Sequence, residues 1–392
     1  MNQGQTIFAQ IIQFLSHDEF NRCVQRYDGN RYTKSFSCWD QFLAMAFAQL
    51  TYRESLRDIE VCLTAQRSKL YHCGLSGPVR RSSLADANER RDWRIYADFA
   101  RTLIDIARPL YADTELGLDL DGTAYALDAT TIDLCLSMFP WAKFRRAKGA
   151  IKLHTMIEIH SSIPVFIDIT HGKVHDVSVL DRLTPEPGSF LVMDRGYLDF
   201  ARLYALHQAL AFFVIRAKDN LQFARRYSHP INKNTGVRSD QTGFLTGQHT
   251  SKRYPVSLRR VTYYSVETDK RFVFLTNNFI VTPLTVASLY RYRWQIELFF
   301  KWIKQHLRIK RFFGTSVNSV KTQVWIGVSV YVLIAIIKKQ LALDQSLYTI
   351  LQILSLSLFE KKPISGLFED QDHNDYKNQT DGSANQLNLW EI

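Results

Sequence analysis

The sequence predicts an α/β protein in which helices flank a mixed β-sheet, with an all-helical N-terminal domain and a β-rich insertion. Three observations predict this class. Residues 1–115 show amphipathic helical patterns, short apolar strand-like runs begin after residue 116, and a helical pattern returns at 283–308. Strands that alternate with helices are typical of a mixed sheet covered by helices.

Residues 1–115 are predicted to form a helical N-terminal domain that binds DNA. A Ser or Thr followed three residues later by an acid marks a helix start, and four such pairs occur here: Ser16 with Glu19, Ser37 with Asp40, Thr51 with Glu54, and Ser83 with Asp86. A long helix is expected from Leu84 to about Leu110. Short helices with basic turns suit a DNA-binding module and equally suit any small helical bundle, so no recognition helix is assigned.

Residues 116–215 and 283–345 are predicted to form the main sheet-and-helix domain. A helix is expected at Leu198–Leu210, and a hairpin is expected from Lys152–Ile159 and Val165–Thr170, which flank a short turn. The other expected strands are short apolar runs: Ala124–Leu127, Ile132–Leu136, Phe190–Met193 and Ala211–Ile215.

The remaining segments are an insertion and a C-terminal extension. Residues 216–282 combine basic patches with alternating runs at Ser257–Val266 and Arg271–Thr276, which predicts a β-rich insertion. Residues 346–368 are predicted to be a helical segment, and residues 369–392 a disordered acidic tail. The longest apolar run, Val324–Ile337, is too short to span a bilayer, so we expect a buried helix and no membrane association.

Composition narrows the function classes. The 392 residues carry a formal net charge of +11, which fits a nucleic-acid partner, although many basic proteins bind none. The five cysteines form no C-x-x-C pair, which argues against a disulfide framework or a zinc knuckle and favours a reducing cytoplasm. A cationic N-terminal leader is missing, and no phosphate-binding G-x-x-x-x-G-K-[ST] loop occurs, so neither secretion nor a nucleotide cofactor is expected.

Residues 289–308 are the most informative segment. Read as one helix, they divide into an apolar stripe and a polar face within about 80°, which contains one acid: Tyr290, Arg293, Glu297, Lys301, Lys304 and Arg308. An ordinary solvated face mixes acids and bases, whereas residues 290–311 hold seven Lys or Arg and one acid. The pattern is compatible with a core helix that has a charged outer face, and with a metal ligand beside a bound polyanion.

Two further acids stand out by their position. Asp128 follows Ala124–Leu127, and Asp194 follows Phe190–Met193. Carboxylates at strand ends, with one from a packed helix, can converge on Mg²⁺, which prefers oxygen ligands. Two such ions could activate a water or a 3′-hydroxyl and stabilise the leaving oxygen of a phosphodiester. Either aspartate taken alone is more simply explained as a strand end or a turn cap.

The motif Tyr290-x-x-Arg293-x-x-x-Glu297, followed after six residues by Lys304, resembles a known signature. It is similar to the Y-R-E-K signature of bacterial insertion-sequence transposases of the IS-four family, in the DDE, ribonuclease-H-like superfamily. In that family's pattern, Asp128 resembles the first acid, Asp194 the second and Glu297 the third. The helical N-terminal segment and the β-rich insertion at 216–282 also fit the family.

The resemblance implies a ribonuclease-H-like catalytic domain and cut-and-paste DNA transposition. Water would cut the first strand, the freed 3′-hydroxyl would form a hairpin end, and the reopened end would be joined to target DNA. Asp128, Asp194 and Glu297 would hold two Mg²⁺ (or Mn²⁺) ions. The implied partner is double-stranded DNA, namely the terminal inverted repeats and the target, bound by a dimer in the nucleoid-associated cytoplasm. The implied DNA-binding residues are Tyr290, Arg293, Lys304, Lys301 and Arg195.

Several alternatives stay open. The chain could be a catalytically inactive DNA-binding protein derived from a transposase, or a two-metal nuclease without strand transfer. His171 and His175 lack the pattern of a zinc site, while the pair His175-Asp176 could lie near the active site or in a solvated loop. Core packing explains the tyrosines of the insertion better than stacking on an unpaired base does: Tyr254, Tyr263 and Tyr264.

Overall fold

The computed structural model describes residues 4–114, 117–146, 148–306 and 312–368. The predicted disordered tail at 369–392 lies outside the described residues. The chain folds into two compact units. The helical unit contains the described residues of Met1–Asp113, Ile132–Ile151 and Phe300–Gly382, and the sheet unit those of Thr114–Thr131 and Lys152–Phe299. The domain boundaries expected from the sequence stay predictions.

Among the described residues, seven helices come first, strands with two helices among them follow, and four helices end the chain. The α-helices are α1 Ile7–Ile12, α2 His17–Arg26, α3 Cys38–Leu50, α4 Leu56–Ala65, α5 Arg67–Leu70, α6 Arg81–Arg90, α7 Arg94–Leu110, α8 Phe200–Gln208, α9 Gln248–Arg253, α10 Pro283–Tyr292, α11 Trp294–His306, α12 Val317–Gln340 and α13 Leu347–Ser357. The strands are β1 Ala124–Leu134, β2 Lys143–Arg145, β3 Lys148–Glu158, β4 Pro164–His171, β5 Phe190–Met193, β6 Phe212–Arg216, β7 Phe223–Ser228, β8 Val237–Leu245, β9 Leu258–Ser265 and β10 Lys270–Thr276.

Two of the four predicted helix starts are confirmed. The Ser16 side chain accepts the Glu19 N–H at the start of α2, and Ser37 forms a reciprocal capping box with Asp40 at the start of α3. The other two are wrong. Thr51 ends α3, where its hydroxyl donates to the Phe47 carbonyl, and Ser83 lies inside α6. A Ser or Thr with an acid three residues later therefore marks a helix start only where the chain before it leaves the helix.

The expected long helix from Leu84 to Leu110 is also wrong, because it is divided into α6 and α7. Arg91 adopts an extended conformation with ψ 135°. The Asp92 carboxylate then accepts the backbone N–H of Arg94 at 2.9 Å. Aspartate commonly makes such a local turn, which competes with helical hydrogen bonding.

The core of the helical unit is built around α12, which packs against α3, α6, α7 and α13. Its 24 residues are long and apolar enough to cross a membrane by length and composition, with a mean hydropathy of 1.8 in the most apolar window. In the folded chain, 94% of that window is buried. The prediction of a buried helix is confirmed, but the helix is longer than the apolar run because Ser316 caps it and α12 begins at Val317, seven residues before residue 324.

In the sheet unit the strands are ordered β3-β1-β5-β6-β10-β9-β8-β7, and β4 pairs with β3. Strands β1, β5 and β6 are parallel, whereas β6, β10, β9, β8 and β7 are antiparallel neighbours. The large mixed sheet and the hairpin of β3 and β4 are as predicted. The two strands expected at Ala124–Leu127 and Ile132–Leu136 form the single strand β1.

The β-rich character of residues 216–282 is confirmed by β7 to β10. These strands extend the main sheet instead of forming a sheet of their own, because β10 pairs with β6 through Thr276 and Val214. A shared hydrophobic cluster lies on one face of the extended sheet and is covered by α8. It includes Leu127, Met193, Phe213, Ile215, Leu258 and Leu275.

Candidate active site

Two of the predicted acids lie side by side at the end of a parallel strand pair. Strands β1 and β5 are in register up to Leu127 and Met193, and Asp128 and Asp194 follow these two residues directly. Neighbouring strands are about 4.8 Å apart, so the two carboxylates emerge close together. Asp194 ends β5 as predicted, whereas Asp128 lies inside β1, where the pairing with β5 stops.

Local hydrogen bonds orient both aspartates. The Asp128 carboxylate accepts the Ala129 N–H at 2.7 Å. The Asp194 carboxylate accepts the Gly196 N–H at 2.7 Å and caps the short 3₁₀ turn Arg195–Tyr197. Each aspartate therefore makes a local hydrogen bond where a strand or its pairing ends, as expected if its role were only structural. Each also keeps a second carboxylate oxygen that can bind another partner.

The third acid, Glu297, is connected to one of the two aspartates, Asp128, through an arginine. Arg293 donates to Asp128 Oδ2 at 2.7 Å and to Glu297 Oε1 at 2.6 Å. The side chain of Arg293 is 7% exposed, and those of Asp128 and Glu297 are 21% and 20% exposed. One buried guanidinium thus joins two of the three predicted acids.

The helix that carries these residues is not continuous. The expected helix at 283–308 is divided into α10 and α11 at Arg293, while Arg308 lies outside the described residues. The Arg293 N–H donates to the Tyr290 carbonyl, and the Ile296 N–H donates to the Arg293 carbonyl, both over three residues instead of four. This tighter turn lies where the side chain of Arg293 is held by two carboxylates.

The acids influence one another electrostatically. Burial raises the pKa of Asp128 to about 6; Arg293 opposes this rise, and the charges of Asp194 and Glu297 add to it. Burial lowers the pKa of Arg293, but the charges of Asp128, Tyr290 and Glu297 outweigh burial and raise that pKa above its ordinary value. Arg293 is therefore always charged, and its charge offsets the repulsion between the acids.

The predicted DNA-binding residues differ in exposure. Tyr290 is buried, with its ring centroid 4.7 Å from that of Phe274 and the Arg293 guanidinium 5.7 Å from its own centroid. Arg195 and Lys301 are exposed, and Lys304 is partly exposed. Lys301 and Lys304 follow Glu297 by about one and two turns of α11, so they share one helix face with it. The structure thus brings Tyr290 and Arg293 together with the acids.

The residues can be compared with what a metal requires. Among the described residues, no group of three or more His, Cys, Asp or Glu side chains surrounds one metal position. Two of the carboxylates that we expected to converge within a metal's reach, Asp128 and Glu297, are joined instead through Arg293. The donor set nevertheless fits, since it contains only carboxylate oxygens, which Mg²⁺ and Mn²⁺ prefer, and a cation already sits between two of them.

Sequence reasoning missed one neighbour of this site, Tyr197, and named another, Asp176, as only one of two possibilities. Tyr197 is 1% exposed, and its hydroxyl has no hydrogen-bond partner in the part of the chain that the structure describes. Burial raises its pKa, and the charges of Asp128, Asp176 and Asp194 raise it further, which places all three acids nearby. Asp176 is not part of a merely solvated loop pair, because it accepts a hydrogen bond from Lys152 Nζ at 2.8 Å. The D-R-G-Y run after β5 was the available signal for Tyr197.

Comparison with known proteins identifies the family. A family model described as a transposase DDE domain matches residues 119–333, which is more than half of the chain. The chain belongs to the DDE transposase family. The segment that the model matches contains Asp128, Asp194 and Glu297 together with the whole Y-R-E-K signature. A second model, a domain of unknown function, matches residues 3–76.

Relatives of this DDE transposase come from several bacteria. A protein named as a transposase in Sinorhizobium fredii is 32% identical over 290 residues, covering 72% of this chain and 79% of the relative. One named as a transposase for insertion sequence element IS5377 in Geobacillus stearothermophilus is 31% identical over 209 residues, covering 53% and 55%. One named for element IS4SA in Synechocystis is 23% identical over 279 residues, covering 70% and 77%. The predicted resemblance to insertion-sequence transposases is confirmed.

A solved structure is a more remote neighbour. The cryo-EM structure of a piggyBac transposase synaptic complex with hairpin DNA is 10% identical and has a TM-score of 0.44. The match covers 95% of this chain and 82% of that one. A likeness at this TM-score supports no conclusion about function.

Proposed function

We propose that this protein is an active transposase that cuts the ends of an insertion sequence and joins them to target DNA. The observation that carries the proposal is that Arg293 joins Asp128 to Glu297 while Asp194 lies beside Asp128, inside the segment that the family model matches. The proposed course is cut-and-paste transposition with a hairpin end and 3′-hydroxyl strand transfer. The partner is double-stranded DNA, bound by a dimer on paired ends.

The sheet supports a ribonuclease-H-like catalytic domain as part of this proposal. Parallel strands β1 and β5 lie next to each other inside the sheet, between β3 and β6, and each supplies an aspartate where their pairing ends. The third acid comes from α11, which follows α10, and α10 packs on β5, β6, β9 and β10. Two strands and one helix thus contribute one acid each, which is the arrangement that the family resemblance implies.

Divalent metal ions are the proposed cofactor, as DDE transposase domains generally use them. Asp128, Asp194 and Glu297 would hold two Mg²⁺ or Mn²⁺ ions. When bound, such ions make a water or a 3′-hydroxyl nucleophilic and stabilise the negative charge on the leaving oxygen. Asp194 is fixed by the turn that it caps, and Asp128 is fixed by its partly buried position. Both carboxylates are therefore in place before DNA binds, so little reorganisation is needed.

Arg293 has two proposed tasks. In the state described here, it neutralises Asp128 and Glu297 and keeps two buried acids from repelling each other. Among the described residues its buried Nε–H has no hydrogen-bond partner, so one donor remains for a phosphate oxygen of bound DNA. Tyr290 packs against the guanidinium and fixes its direction. Lys304, Lys301 and Arg195 are proposed to hold phosphates farther along the DNA.

The proposal is tested with three conservative variants: Asp128→Asn, Asp194→Asn and Glu297→Gln. Each should abolish cleavage of a duplex that carries the element's terminal repeat in Mg²⁺, while binding to that duplex in Ca²⁺ stays close to wild type. Asp219→Asn, which changes an exposed aspartate of the sheet unit, is the matched control and should cleave normally.

Two results would contradict the proposal. Cleavage that survives in any of the three variants removes that residue from the catalytic set. A wild-type protein that binds terminal repeats but cleaves in neither Mg²⁺ nor Mn²⁺ is instead an inactive DNA-binding derivative. Denaturing gels that resolve hairpins and joined strands separate transposition from simple nuclease activity.

A further inference from the structure

Three arginines from different strands lie together on one face of the sheet, far along it from the β1 and β5 pair. We call Arg225, Arg260 and Arg271 the arginine face. Alternate residues of a strand share a face, and each arginine stands two residues from an apolar side chain of the shared hydrophobic cluster or its margin. These apolar residues are Phe223, Leu258 and Val273. The arginine face therefore continues the covered side of the sheet beyond its apolar part.

The central arginine is held in a fixed position. Arg260 stacks on the Phe223 ring, with 4.4 Å from the guanidinium carbon to the ring centroid. It also donates to Gln241 Oε1 through Nε at 3.1 Å and through its terminal nitrogen at 2.6 Å. Glycine at 243 makes this packing possible, because a Cβ there would lie 2.7 Å from the Phe223 ring and 2.2 Å from the Ala224 carbonyl.

The positive charge of the arginine face is not balanced locally. Among the described residues, no acid forms an ion pair with Arg225, Arg260 or Arg271. Burial lowers the pKa of Arg260 from its ordinary value, and the charges of Arg271 and then Arg225 lower it further, so the three cations are close neighbours. Three neighbouring cations that repel one another are complementary to a polyanion.

The neighbouring Arg259 shows what a structural arginine looks like in this sheet. It forms a two-pronged ion pair with Asp240 at 2.8 Å, with both side chains at most 5% exposed. It also donates to the carbonyls of Asn278 and Val281. Adjacent residues of a strand face opposite sides of the sheet. The guanidinium of Arg259 is therefore bound to protein groups on one side, while Arg260 lies on the other side and is partly exposed.

We propose that the arginine face binds the phosphate backbone of a second stretch of double-stranded DNA, independently of its sequence. This inference rests on the proposed function. Leu127 belongs to the same covered side of the sheet as the arginine face, so Asp128, the next residue of β1, projects to the opposite side. The duplex on the arginine face is therefore not the stretch that is being cut at the carboxylates.

Salt dependence measures this contact directly. Each phosphate neutralised on B-form DNA adds about 0.9 to the slope of log affinity against log salt. Removing three phosphate contacts should lower the magnitude of this slope by about 2.7. When salt rises from about 50 to about 200 mM, the affinity of the wild type for DNA should therefore fall about 40-fold more than that of a variant without the three arginines. Binding of the full chain is measured in Ca²⁺ with a terminal-repeat duplex long enough to span both sites, and with a scrambled duplex of equal length.

Two variants and one control make the test. The triple variant Arg225→Ala, Arg260→Ala and Arg271→Ala should show the full change on both duplexes. The single variant Arg225→Ala, at an exposed position on the edge strand, should lower the slope by about 0.9 without endangering the fold. Arg202→Ala is the matched control, because Arg202 is paired with Asp181 and Asp199, and its slope should equal that of the wild type.

The outcomes separate the inference from the proposed function. A wild type that cleaves terminal repeats, with slopes unchanged in the triple and single variants, refutes the arginine face and leaves the transposase function standing. A slope that falls on the terminal repeat alone refutes the sequence independence of the contact. A wild type that neither binds nor cleaves any duplex overturns the proposed function, and the inference with it.

Discussion

Replacing Asp128 by asparagine is expected to stabilise the metal-free protein at neutral pH. Burial raises the pKa of Asp128 from 3.8 to about 6. Because the pKa is higher in the folded state than in the unfolded state, the folded state binds the proton more tightly. The stability from this group is fully present below about pH 4 and is lost as the pH rises through about 6. Asparagine has no charge to bury, so the variant avoids this loss.

The size of the effect follows from the two pKa values. A pKa that moves from 3.8 to about 6 corresponds to about 3 kcal/mol of unfolding free energy over the full pH range. About 2 kcal/mol of it falls between about pH 4.5 and about pH 7.5. The side chain of Asp128 is 21% exposed, so solvent screens only part of this energy. Asparagine can still accept a hydrogen bond from Arg293.

Urea unfolding in the presence of a chelator measures this effect. The free energies of unfolding of wild type, Asp128→Asn and the exposed control Asp219→Asn are determined at both pH values. The advantage of Asp128→Asn over the wild type should grow by about 2 kcal/mol from the lower to the higher pH, while the control shows no such growth. An advantage that is constant or shrinks as the pH rises would refute the reasoning that burial dominates at Asp128.

Three further outcomes are expected. Mg²⁺ at 100 times its dissociation constant should stabilise the wild type by about 2.7 kcal/mol and so raise its thermal unfolding midpoint. The midpoint of Asp194→Asn should change little in the same scan, and equal shifts would contradict the metal site. Arg259→Met should destabilise the protein by about 3–5 kcal/mol in urea unfolding, because it leaves Asp240 buried and unpaired; a loss under about 1 kcal/mol would contradict this role. Ile334→Ala, at a fully buried position of α12, should cost about 2–5 kcal/mol in the same assay, and a neutral result would show that α12 is not central to its unit.

Local patterns in the sequence predicted most of the elements. The apolar run Phe190–Met193 predicted β5 to the residue, and the Ser37 and Asp40 pair predicted the start of α3. Such signals work because hydrophobic periodicity and capping depend on residues only a few positions apart. They failed at Thr51, where the hydroxyl bonds back into the preceding helix instead of starting a new one.

The candidate site was only partly accessible to the same reasoning. The spacing of Tyr290, Arg293 and Glu297 pointed to one helix face, and the apolar runs before Asp128 and Asp194 singled out the two aspartates. The family resemblance then grouped the three acids. Nothing local shows that Arg293 bridges Asp128 and Glu297, because that contact joins residues 165 positions apart. The break between α10 and α11 at Arg293 lies at that long-range contact, so helical periodicity could not predict it.

The sequence by itself determined which chemical groups the chain offers: a basic protein with a Y-R-E-K signature, acids after apolar runs and a β-rich segment at 216–282. Tertiary structure alone decided which groups meet. Strand register placed Asp128 beside Asp194, and the pairing of β7 to β10 brought Arg225, Arg260 and Arg271 together while it buried Arg259. The physical reason is that register is set by side chains packing between distant segments, which local sequence does not specify.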